Sequence, residues 1–201
     1  MKRIVLSLAC VALLIGNYAY ATTYTYTGDL YTMGGGAYTE GMRVTGTLLT
    51  SSPIPSNYSG DISGILSSWS FNDGVQTIDS SNGEFHPGFS PTVLTNEQGV
   101  IVDSFLAMFL SPIGTTVGDT DSYIAVVFGQ SIGVVDAVCL TVVDEVCETY
   151  EEPASFGQAS SPGTWVGGVA PTPVPTLTQW SLVLLALGLG MLGIARIRRN
   201  V

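Results

Sequence analysis

Basic residues are nearly missing from this 201-residue chain: six Lys and Arg stand against sixteen Asp and Glu, with a single histidine, His86. Lys2 is the only lysine, and between Thr22 and Pro173 the sole base is Arg43. That span holds all sixteen acids, so sixteen negative charges against one positive give about −15, beyond the −10 of the whole chain. A field of this sign repels phosphate backbones and no basic patch offsets it, so nucleic acid is not expected as a partner. Lys2 lies in a segment read below as removable, so lysine nucleophiles and Schiff-base chemistry are not expected either. A lone His admits no His-Glu-x-x-His zinc motif, and no P-loop is present. Gly114-Thr115-Thr116-Val117-Gly118 lacks the lysine and following helix of a phosphate cradle. No cofactor and no catalytic residue are assigned, and the protein is expected not to be an enzyme.

Cysteine is scarce too. Cys10 falls in the N-terminal apolar segment, leaving Cys139 and Cys147 as an even pair. Outside the cytoplasm such a pair reads as one disulfide. Its short loop gives a chain-entropy gain of about 2–3 kcal/mol and pins a hairpin or strand turn. No second Cys pair and no nearby His complete a tetrahedral metal set, so no metal is expected.

What the chain does have is β patterning. Thr23-Tyr24-Thr25-Tyr26-Thr27 alternates at period two. Residues 43–50 follow a Gly-rich turn, Gly34-Gly35-Gly36, and read as the next strand; 62–71 reads as a third. Asp73-Gly74 and Asn82-Gly83 carry hairpin-turn chemistry. Longer apolar or β-branched runs at 100–110, 123–128 and 134–143 suit central strands, and 163–166 looks like a closing strand. Turn signals at roughly ten-residue intervals, without helical periodicity, predict an all-β β-sandwich or jelly roll over 22–169.

The two ends differ in kind. Lys2 and Arg3, an apolar run from Ile4 to Ile15, and Ala19-Tyr20-Ala21 form a signal peptide over 1–21, with cleavage by signal peptidase expected after Ala21. At the other end, a Pro/Thr linker (170–179) carries Val174, Pro175, Thr176, Leu177 and, two residues on, Trp180 borders an uncharged run ending at Arg196, Arg198 and Arg199. Roughly 18 apolar residues at about 1.5 Å each span about 27 Å, a narrow match to a hydrocarbon core near 30 Å. The arginines favour a cytoplasmic C-terminus, so 180–201 is predicted to be a transmembrane helix with a basic tail.

Val174-Pro175-Thr176-Leu177-x-x-Trp180, then a helix and an Arg cluster, resembles the IPTL-CTERM sorting domain, a relative of the PEP-CTERM signals. Val174 and Ser181 depart from the usual Ile and Gly. The resemblance implies a transient anchor. An exosortase-type membrane transpeptidase would recognise the Pro-Thr-Leu region, remove the helix, and pass the ectodomain to the cell surface or exopolysaccharide matrix. The alternative is a permanently anchored periplasmic domain. Strings such as Val44-Thr45-Gly46-Thr47 and Trp69-Ser70-Phe71-Asn72-Asp73-Gly74 also resemble PEP-CTERM-type ectodomains, and imply only a β-sandwich.

Few residues between the ends suggest chemistry. Asp119 and Asp121 are spaced like half of a calcium loop but lack the remaining ligands; a polar inter-strand loop is the default. Asp144, Glu145, Glu148, Glu151 and Glu152 offer a carboxylate pair for glycoside hydrolysis, though they crowd the expected disulfide. Trp69 and Trp165 sit in strand patterns that favour burial over sugar stacking, and His86 reads as a loop residue. Two functions therefore compete: a non-enzymatic surface protein whose candidate ligand is exopolysaccharide, and a secreted glycan-active enzyme. A row of exposed aromatics on one sheet favours the first. Two carboxyls about 5–10 Å apart in a cleft favour the second.

Overall fold

A computed structural model describes residues 21–168 apart from 152 and 154. The signal segment, linker, sorting motif and apolar C-terminal segment lie outside these residues. The described chain is all-β: β1 (Thr22–Thr27), β2 (Met33–Gly35), β3 (Thr45–Thr50), β4 (Ser59–Asp61), β5 (Leu66–Asn72), β6 (Thr77–Asp79), β7 (Gly83–Phe85), β8 (Thr92–Thr95), β9 (Ile101–Leu110), β10 (Thr120–Val127), β11 (Gln130–Val143), β12 (Val146–Tyr150), β13 (Ser155–Ala159) and β14 (Thr164–Gly167).

The strands form two sheets. The smaller has the order β14-β1-β3-β5-β6. The larger runs β2-β13-β11-β10-β9-β8-β4, with β12 on β11 and β7 on β9. Their inner faces share one core, in which Tyr24, Tyr26, Leu48 and Phe71 of the small sheet join Leu106, Met108, Ile124 and Val126 of the large one. The period-two reading of β1 holds: its tyrosines are buried and its threonines at 23, 25 and 27 are exposed. Trp69 and Trp165, only 7% and 8% exposed, are core residues packed on Phe85 and Tyr26 with ring centroids 4.8 and 4.9 Å apart.

A polar pin joins the sheets through this core. Asp73, fully buried, accepts hydrogen bonds at Oδ1 from the Val75 and Gln76 N–H groups (2.9 and 2.8 Å). At Oδ2 it accepts from the Tyr38 hydroxyl (2.6 Å) and from Gln76 Nε2 (3.1 Å). Gln76 Nε2 also donates to the Val134 carbonyl on β11 (2.8 Å), and the Tyr31 hydroxyl donates to the Asp73 carbonyl (3.1 Å). A buried carboxylate needs this many partners to offset its desolvation. The large sheet makes room with a glycine: a Cβ at Gly133 would sit 2.6 Å from Asp73 Oδ2.

This pin sits in an expected turn. Asp73-Gly74 opens the hairpin between β5 and β6; Asn72 pairs with Thr77, and the four intervening residues turn around the inward-facing Asp73. Two expectations change. Residues 33–35 of the glycine run form edge strand β2, paired to β13 through Gly34 and Gly157. Its partner β13 lies between β2 and β11. Its small residues leave space for Tyr31, whose ring would clash with a Cβ at Gly157 at 2.5 Å. The third strand begins at Leu66, because residues 62–65 form a turn in which Ile65 and Leu66 N–H groups both bond the Ile62 carbonyl.

Candidate functional site

Strand β9 turns Leu106 and Met108 into the core, so the alternate residues Phe105, Ala107 and Phe109 belong to the opposite, outer face of the large sheet. Across the ladder, Phe109 pairs with Tyr123 and Phe105 with Val127 of β10. The outer face therefore carries aromatics at both ends of β9, and neighbouring loops extend them into a row.

At one end, Phe128 meets Phe105 with centroids 5.3 Å apart, and Phe105 meets Phe89 at 5.2 Å. His86 packs on Phe89 at 5.0 Å and on Phe109 at 5.2 Å. Phe109 stacks on Tyr123 at 4.9 Å, and Tyr123 reaches Tyr150 at 5.8 Å. Phe89 is 54% and Phe128 75% exposed, so two of these rings stand open to solvent. Neither position is a product of core packing.

Local chemistry sets both rings. Phe89 closes a β-turn, His86-Pro87-Gly88-Phe89, by donating its N–H to the His86 carbonyl (3.0 Å), and the Gly88 N–H donates to His86 Nδ1 (3.1 Å). The His86 N–H in turn bonds the Ala107 carbonyl (3.0 Å), which ties the turn to β9. Phe128 occupies the first position of the two-residue turn between β10 and β11, with φ of 45° there and 75° at Gly129. A turn with both φ values positive favours Asn-Gly. A bulky aromatic at positive φ is unusual, and here it also exposes most of its apolar surface.

The far end of the row is built by the β11–β12 hairpin. A bulge at Asp136 (φ 54°), whose N–H bonds Ser122 Oγ at 3.0 Å, shifts the β10–β11 register. Beyond it β11 pairs with β12, and Cys139 and Cys147 form the expected disulfide across this hairpin, with Cα atoms 5.8 Å apart. Tyr150 fixes the hairpin to the sheet: its hydroxyl donates to Asp121 Oδ2 (2.9 Å) and its ring joins the aromatic row. Burial, and then the bond to Asp121, hold this phenol above the ordinary tyrosine range.

The tip of the hairpin and the His86–Phe89 turn border a cleft of about 580 Å³, with His86 and Phe89 on one wall and Val143, Asp144, Val146 and Glu148 on the other. A second depression, about 300 Å³, lies at the opposite end of the row, where Phe105 and Phe128 meet Asp103. The aromatic row thus runs from one concavity to the other.

The remaining candidates are otherwise engaged. Asp119 Oδ2 accepts the N–H groups of Thr115 and Thr116 (3.0 and 2.9 Å), bonds that hold its carboxyl below the usual range. Asp121 is buried and accepts the Gly114 N–H (2.7 Å) as well as Tyr150. Both carboxylates therefore serve the loop's own backbone and Tyr150. Among the described residues no group of three or more His, Cys, Asp or Glu is gathered to hold a metal. His86, expected in an open loop, is half-buried between two phenyl rings. Asp144 and Glu148 share the cleft wall, and Glu152 lies outside the described residues.

No Gly-x-Ser-x-Gly is expected in this chain, and that expectation is wrong. Gly129-Gln130-Ser131-Ile132-Gly133 spells the Gly-x-Ser-x-Gly of a nucleophile elbow. Here Ser131 lies within β11, fully buried on the inner face, with no hydrogen-bond partner for Oγ among the described residues. The strand-to-helix turn that gives the motif its chemistry is not there. The aromatic row itself was missed because its members come from β9, β10, β12 and two turns, and only the register unites them.

Ala19, Ala21, Val174, Pro175, Thr176, Leu177, Trp180, Arg196, Arg198 and Arg199 all lie outside the described residues. No helix among the described residues is long and apolar enough to cross a membrane. Comparison with curated proteins and with solved structures finds no match. The C-terminal segment is the part with a known counterpart: residues 172–199 match the IPTL-CTERM motif.

Proposed function

We propose that this chain is an exported, non-enzymatic β-sandwich protein that is delivered to the cell surface or matrix and binds polysaccharide on the outer face of its large sheet. The matched motif at 172–199 supports the delivery: an exosortase-type transpeptidase recognises Pro175-Thr176-Leu177 and removes the apolar segment beyond it, after signal peptidase has cut behind Ala21. The observation that carries the binding is the aromatic row, with Phe89 and Phe128 exposed at its open positions. Aromatic faces pack on the C–H faces of pyranose rings, and the two open rings, Phe89 and Phe128, both lean on Phe105, with centroids 5.2 and 5.3 Å from it. An exposed phenyl in a turn that favours Asn is costly to the fold, and such costs concentrate where a ligand needs them.

Affinity electrophoresis of the full chain through gels containing the host's own exopolysaccharide tests this reading. Phe89→Ala and Phe128→Ala should each weaken retardation roughly tenfold, the loss of about 1.4 kcal/mol of ring stacking and burial. Retardation unchanged in the double variant would end it. The competing hydrolase reading draws on Asp144 and Glu148 in the cleft. Both side chains are exposed, whereas a general acid at neutral pH needs desolvation. Incubation with polysaccharide should release no reducing ends.

A further inference from the structure

The acids of this domain divide into two groups. Asp73, Asp119 and Asp121 are spent on backbone N–H and tyrosine hydroxyl groups. Asp144 and Glu148, in the lining of the cleft of about 580 Å³, accept no hydrogen bond from any described residue. No base faces them. Arg43, the one base of the described chain, donates to the Gly28 carbonyl at 3.4 Å instead. Opposite the two carboxylates stand the exposed Phe89 ring and the half-buried His86. A phenyl face and two free carboxylates across one concavity suit a ligand with both an apolar ring face and a positive charge. Stacking and cation–π attraction act from one wall, charge-assisted hydrogen bonds from the other.

We propose that this cleft binds an amine-bearing glycan, a hexosamine chain in which some amino groups are free, with the protonated amine between Asp144 and Glu148 and the sugar face on Phe89. The proposal rests on the polysaccharide reading above and narrows its ligand. Charge decides the class. Uronate and phosphate polymers are repelled by a domain with sixteen acids and one base, and a neutral glycan leaves both carboxylates unused. At the other end of the row a single acid, Asp103, lines the depression beside Phe105 and Phe128, and its Oδ1 already accepts the Ser104 N–H at 2.8 Å, so the two-carboxylate arrangement is particular to the first cleft.

The test is calorimetric titration of the full chain with chitosan, chitin and alginate oligosaccharides of equal length and with oligolysine. It is run at mildly acidic pH in a polyoxyethylene detergent that has no sugar headgroup. Chitosan should bind at least about tenfold tighter than chitin, alginate should not bind, and rising salt should erase the preference. Asp144→Asn and Glu148→Gln should remove the preference while chitin binding stays within about twofold. Asn suits the positive φ of residue 144, so that variant keeps the turn. Chitin and chitosan bound equally, with sensitivity to Phe89→Ala, would overturn the amine proposal and leave the polysaccharide reading standing. No glycan bound at all would overturn the amine proposal, and the electrophoresis in the host's exopolysaccharide decides the polysaccharide reading separately. Oligolysine bound as tightly as chitosan would make the cleft a basic-peptide site and overturn the proposal.

Discussion

Phe128 concentrates the conflict between stability and function in one residue. Its positive φ and 75% exposure make Asn the better residue for the fold. Phe128→Asn should raise the unfolding free energy by about 0.5–1 kcal/mol while weakening polysaccharide binding. Urea denaturation and affinity electrophoresis on the same variant check the two halves. Asp73 shows the opposite case, where a buried charge serves the structure alone. Gly133→Ala, which forces a Cβ against its carboxylate, should cost about 1–3 kcal/mol. Around the pin, burial and then the neighbouring Asp73 hold the Tyr31 and Tyr38 phenols well above their ordinary range, as burial does for Tyr150. In the unfolded chain these phenols ionise near pH 10. Because the folded values are raised, their contribution is complete below about pH 10 and is lost as pH rises toward the folded values. Ultraviolet titration should show the three phenols ionising only as the protein unfolds. Tyr38→Phe, which takes a donor from the buried Asp73 carboxylate, should cost about 1–3 kcal/mol below about pH 10 while making the loss of stability above it less steep.

At the scale of elements, the β11–β12 hairpin shapes the site. Asp144 and Glu145 form its two-residue turn, both at positive φ, and neither is the glycine this turn favours at its second position. Glu145→Gly should stabilise by about 0.5–1 kcal/mol, whereas Cys139→Ser with Cys147→Ser should destabilise by about 2–3 kcal/mol; thermal unfolding resolves both. How much of this was legible depended on whether the signal was local. Alternation of Thr and Tyr marked β1, and the Cys pair, eight positions apart, marked the hairpin. The Asp136 bulge, the strand role of residues 155–159 and the inward turn of Asp73 were not legible, because each depends on a partner far away in sequence. The aromatic row is the strongest instance. Phe89, Phe105, Phe109, Phe128 and Tyr150 show no common periodicity, and strand register alone places them together.

Over the whole molecule, two kinds of information stay separate. The middle of the chain encodes a two-sheet domain whose charge is almost wholly negative and whose aromatic row leaves two rings, Phe89 and Phe128, open to solvent. The tail encodes an address, and half of the chain's six bases lie within it as Arg196, Arg198 and Arg199. The proposed removal of both ends would leave Arg43 as the only base against sixteen acids, taking a chain that already carries −10 to about −15. Delivery to the surface turns on the fate of the C-terminus. Mass spectrometry of the protein recovered from the cell surface measures it directly. The expected mature species starts at Thr22 and ends before Trp180. Surface-exposed protein that still carries Arg196 to Val201 would contradict it.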